Sequence, residues 1–137
     1  MKIIRFVSDA EKEMYLSGAK MMNGNAHGDC KTTSVGFCFA ELTKERDADK
    51  WLRKLMMNTT CEWCIEFDTE KFSFPLAESN GVYADDKDFT KTVEIREWCT
   101  TQYSLKTHPY IRIGRCPSFL AMCFGRKKID WADEEEN

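Results

Sequence analysis

Apolar and polar positions along this chain repeat with two periods, and the switches between them mark its elements. Residues 2–7 form an apolar run carrying one arginine, Arg5, and predict a strand. Ser8-x-x-Glu11 reads as a capping box. It opens a helix over residues 9–17, with Ala10, Met14 and Tyr15 on its buried side and Gly18 as its stop. Residues 23–29 combine glycines, asparagines and His27 and predict a loop. A mostly buried strand follows over residues 35–39. From Asp47, a good N-cap, the residues Ala48, Trp51, Leu52, Leu55 and Met56 recur at helical spacing and predict a second amphipathic helix.

In the second half Trp63, Ile65 and Phe67 alternate with Glu62, Cys64 and Glu66, the pattern of a half-buried strand. Residues 73–88, with Pro75, Asn80-Gly81 and Asp85-Asp86, predict a loop with turns. Val93, Ile95 and Trp98 begin another strand, and residues 110–113 and 119–124 predict two more. The acidic residues 130–137 predict a mobile tail. Two helices near the N-terminus and a strand-rich second half describe a compact α+β domain over residues 1–129.

Composition narrows the function classes. A hydrophobic content of 42% is enough for a packed core, and 137 residues are most simply one domain. The net charge of −3, with acidic and basic residues interspersed, argues against general nucleic-acid binding, although residues 112–128 hold a local basic stretch. No apolar run reaches the roughly 18 residues of a membrane span, and the charged N-terminus lacks a signal-peptide core, so a cytoplasmic protein is expected. The odd count of 7 cysteines fits mostly reduced thiols.

The order of these elements resembles the ADP-ribosyltransferase fold, in its arginine–serine–glutamate branch. The residues that carry the resemblance are Arg5 on the first strand, Thr32-Thr33-Ser34 before the strand Gly36-Phe37-Cys38-Phe39, and Glu97 in Val93-Glu94-Ile95-Arg96-Glu97-Trp98. It implies an N-terminal strand and two amphipathic helices packed on a mainly antiparallel split sheet. It also implies an NAD-dependent ADP-ribosyltransferase acting on an intracellular acceptor, with NAD as substrate. Arg5 would bind the NAD phosphates, Thr33 and Ser34 would shape the nicotinamide pocket, and Phe37 or Phe39 would stack on the nicotinamide. Glu97 would stabilise the reacting ribose, with Glu94 as the reserve carboxylate.

The chemistry of those roles is coherent. A guanidinium fork suits a diphosphate, and a carboxylate beside the ribose stabilises charge that develops mainly in the transition state. The family's Glu-x-Glu spacing is widened here to Glu94-x-x-Glu97. On a regular strand those side chains point to opposite faces, so only one enters a site unless a bulge intervenes.

Other constellations compete with this one. His27-x-x-Cys30 and Cys61-x-x-Cys64 would together make a structural, tetrahedral zinc set, but Cys64 belongs to a well-patterned strand and the chain can build a core without a metal, so no metal is expected. Cys99 with His108 or His27 makes a nucleophile–base pair without a local signature. The alternative class is a small acidic, non-enzymatic protein-binding module, such as a phage or mobile-element inhibitor of a host system. It would use its acidic tail and residues 73–88 against a basic protein target. The arrangement of Arg5, Ser34 and Glu97 separates the classes: an enzyme needs them in one cleft.

Overall fold

Strand β1 (Lys2–Val7) runs through the middle of the sheet, where Ile3 to Val7 are buried on both faces, as a near-continuous apolar run requires. The computed structural model describes residues 1–22, 32–33, 36–42, 61–73, 75–84, 90–125 and 128–134. After β1 come α1 (Asp9–Leu16), β2 (Met21–Met22), β3 (Thr32–Thr33), β4 (Gly36–Leu42) and β5 (Trp63–Asp68). The second half holds β6 (Ala77–Ala84), β7 (Thr92–Thr100), β8 (Gln102–Tyr103), β9 (Tyr110–Arg115), α2 (Phe119–Cys123) and β10 (Asp130–Glu134). One open sheet takes the order β10-β9-β5-β1-β4-β7-β6, with β3 beside β4 and every pairing antiparallel. β2 and β8 pair separately.

Register assigns the two faces. Ile3 lies opposite Phe67 and Arg5 opposite Ile65, so these four share the first face with Val7, Phe37 and Phe39. Tyr15 from α1, Tyr103 from β8 and Met21 from β2 complete that core. The aromatic rings meet edge-on or offset: Phe37 and Tyr103 have centroids 4.9 Å apart, and Phe39 and Phe67 lie at 5.2 Å. On the second face Ile4, Phe6, Cys38, Ala40, Cys64 and Cys99 are buried as well.

Helix α1 starts where its cap dictates. The Ser8 hydroxyl accepts from the Glu11 backbone N–H at 3.1 Å, and Gly18, at φ 88°, takes the left-handed turn after the last helical turn. Ala10, expected on the buried side, is exposed; Glu11 takes the inward place beside Tyr15.

Three expectations change and one falls outside the described residues. The α+β class holds in its coarse form, but the sheet is one continuous antiparallel path, not the split sheet implied by the ADP-ribosyltransferase resemblance. The helix expected from Asp47 lies outside the described residues. Residues 77–84 pair with β7 from Ala77↔Cys99 to Ala84↔Thr92, so Asn80-Gly81 sits inside a strand and makes no turn. The apolar residues after Ser118 form a helix: the Ser118 hydroxyl accepts from the Ala121 N–H at 3.1 Å and caps it.

Residues 130–134, expected at the start of a mobile tail, form β10 and pair with β9. Trp131 lies opposite Gly114, and a Cβ on that glycine would stand 2.7 Å from the indole and 2.5 Å from the Ile129 Cγ2. The same indole stacks on the Arg112 guanidinium at 4.0 Å from its ring centre. Among the described residues no helix is long and apolar enough to cross a membrane.

Candidate functional site

Arg5 points into the first-face core, where its residual exposure is 1%. A charge taken that far from water needs a partner, and Glu11, on the first turn of α1, supplies it. Nε donates to Glu11 Oε2 at 2.7 Å and Nη2 to Oε1 at 3.1 Å. Nη1 donates to the Cys38 carbonyl at 3.0 Å. The Tyr103 hydroxyl also donates to Glu11 Oε2. Rings of Phe37, Tyr103 and Phe39 surround the guanidinium at 5.1, 5.7 and 6.0 Å.

The electrostatics follow from this enclosure. Burial alone would lower the Arg5 pKa, but the Glu11 carboxylate overrides it and holds the guanidinium above its usual range. Burial holds the Tyr103 phenol well above its own, so it stays a neutral donor. The result is a closed ion pair with one neutral donor attached. Phe37 and Phe39, expected to stack on a ligand, are fully buried in the same core.

Glu97 is placed by register. Ile4 lies opposite Ala40, and Ala40 opposite Glu97, so the three form one row across β1, β4 and β7. Glu97 therefore projects from the face of Ile4, and Arg5 from the opposite one. Glu97 is buried and Glu94 exposed, as their spacing on an unbulged strand requires. The neighbouring Trp98 returns to the first face, where its indole N–H donates to Glu41 at 3.0 Å. Thr33 lies opposite Gly36 in the β3–β4 pair, and Ser34 is outside the described residues. The structure thus gathers Arg5, Phe37 and Phe39 and sets Glu97 apart from them.

Cysteine and histidine positions are equally specific. Cys61 is disulfide-bonded, which removes it as a thiolate ligand, while Cys64 is buried and outside any disulfide. His27 and Cys30 lie outside the described residues. Among the described residues no three His, Cys, Asp or Glu side chains are grouped to hold a metal ion. His108 packs against Phe72 and Tyr103 on the first face, whereas Cys99 turns to the second and meets Cys38, so these two make no nucleophile–base pair.

One surface differs from the rest. Around α2, Leu120 is 67% and Phe124 82% exposed, the highest exposures among the large apolar side chains of the described residues. Beside them a groove of about 810 Å³ is lined by Arg115, Cys116, Pro117, Ala121, Lys128 and Ile129, among others. Burial pushes the Cys116 thiol up to about 12, so it stays protonated and unreactive near neutral pH.

Glu11 and Tyr103 are the residues that sequence reading missed. For Glu11 a signal existed: an arginine inside an otherwise apolar strand requires a carboxylate, and one follows in the adjoining helix turn. For Tyr103 none did. Comparison with protein-family models, with curated proteins and with solved structures finds no match for this chain.

Proposed function

We propose that the protein is a non-enzymatic interaction module that docks a protein partner on the surface around α2. The observation that carries this reading is the placement of Arg5 and Glu97 on opposite faces of one sheet. ADP-ribosyl transfer needs a phosphate-binding cation and a ribose-stabilising carboxylate on the same dinucleotide. Here the cation is closed against Glu11, and the carboxylate lies across the sheet.

The partner's chemistry follows from the surface itself. Leu120 and Phe124 offer an apolar contact, and the exposed cations Arg115 and Lys128 stand beside them, against one carboxylate, Asp130, among the described residues of the groove. This surface suits a protein patch that presents an apolar side chain flanked by carboxylates. Association would be steered by charge and would weaken as salt rises.

The test pairs capture with an enzymatic control. Wild type and the variant Leu120→Ser/Phe124→Ser are immobilised and exposed to a cell extract at low salt, and both are assayed for nicotinamide release from NAD. A partner held by wild type, lost by the variant and eluted by salt, with no nicotinamide released, is the expected result. Nicotinamide release that disappears in Glu97→Gln would replace this reading with the transferase one.

A further inference from the structure

Cys38 and Cys99 face each other directly across the β4–β7 pair, and their Sγ atoms are 3.0 Å apart. Neither is in a disulfide, and their exposures are 4% and 9%. The backbone favours joining them. Cys38 offers its carbonyl to Arg5 Nη1 on the β1 side, which turns that carbonyl away from β7. The Cys38/Cys99 position is therefore the kind whose residues exchange no backbone hydrogen bond, with Cα atoms about 4.5 Å apart and side chains drawn together. That spacing lies within the ~4.4–6.8 Å that disulfides bridge, and small χ1 rotations bring the sulfurs to ~2.05 Å.

We infer that Cys38 and Cys99 form a reversible disulfide when the protein meets hydrogen peroxide. Burial favours a small, neutral oxidant over a bulky disulfide, and Cys99, the less buried, takes it first. The Cys99 sulfur attacks one peroxide oxygen and the O–O bond breaks. The departing hydroxide leaves as water with the thiol proton, and a sulfenic acid remains. The Cys38 sulfur then attacks the Cys99 sulfur, the S–O bond breaks, and the hydroxyl leaves as a second water with the Cys38 proton. Two thiols have lost two protons and two electrons, and the peroxide has become two waters. An external dithiol reverses the bond by exchange.

The new link would close a loop between positions 61 residues apart and tie β4 to β7. It therefore raises the melting temperature, by roughly 5 °C or more.

The experiment uses the full chain with Cys123→Ala, which removes the exposed thiol and its intermolecular products. Reduced protein is treated with hydrogen peroxide, alkylated, digested without reductant and mapped by mass spectrometry. The expected result is a peptide pair joining Cys38 to Cys99 that dithiothreitol dissolves, with a matching rise in melting temperature. Cys38→Ala in the same background should show neither, and should leave a dimedone-reactive sulfenic acid on Cys99. Recovery of both cysteines as alkylated thiols after prolonged peroxide would overturn the inference, as would a link from either to another cysteine. The map of the Cys123→Ala protein decides the matter even if Cys38→Ala does not fold.

Discussion

The Arg5 guanidinium is gripped at two points by the Glu11 carboxylate, through Nε at 2.7 Å and Nη2 at 3.1 Å, inside the aromatic core of the first sheet face. Glu11 thereby links β1 to the first turn of α1, and the Ser8 cap fixes the angle at which that turn leaves the strand. Removing one partner strands the other charge in a low-dielectric interior. Glu11→Ala should cost about 3–5 kcal/mol of unfolding free energy, measured by urea denaturation. The double variant Arg5→Met/Glu11→Leu should lose less than Glu11→Ala alone, because it leaves no uncompensated charge.

Gly114→Ala tests the closure of the sheet at β10. The added methyl meets the Trp131 ring and the Ile129 side chain, so the edge strand must shift or the indole must leave Arg112. A loss of about 1–3 kcal/mol is expected by chemical denaturation, with a change in Trp131 fluorescence.

Stability should fall between pH 6.5 and 4 because of His108. Burial pushes its pKa down from 6.5 to about 4. In that window the unfolded chain binds a proton that the folded chain refuses, so unfolding takes up a proton and stability rises with pH. The contribution is complete above 6.5 and lost as pH drops toward 4, roughly 3 kcal/mol across the window. Urea midpoints measured on both sides of the window check this, and His108→Gln should flatten the slope within it.

Leu120→Ser and Phe124→Ser should leave stability within about 0.5 kcal/mol of wild type, since both side chains stand in solvent. Thermal melts check this directly. The outcome separates the docking surface from the core, where Phe39→Ala should cost about 3–5 kcal/mol.

Much of the fold was legible because short-range patterns decide it. β1, the Ser8 cap, α1 and the place of β5 follow from residues within one turn or one pleat of each other, although β5, expected half-buried, is buried on both faces at Cys64 to Phe67 because β1 and β9 flank it. β6 was not legible: Asn80-Gly81 has the composition of a turn, and the ladder to β7 outweighs that local preference. The apolar run after Ser118 fits a strand or a helix equally, and the Ser118 cap decides it. The candidate site was legible only in its parts. Arg5 and Glu97 are visible as charges in apolar strands, but their faces depend on the row Ile4–Ala40–Glu97, which is set by pairing between segments far apart in the chain.

An open sheet has two ends, and one of them is written largely in acid. The sequence of β10 holds Asp130, Asp133 and Glu134, and among the described residues no strand pairs with its outer side. Charge along an unpartnered edge strand disfavours pairing with a second copy, so the acidic sequence of β10 works against growth of the sheet at this end.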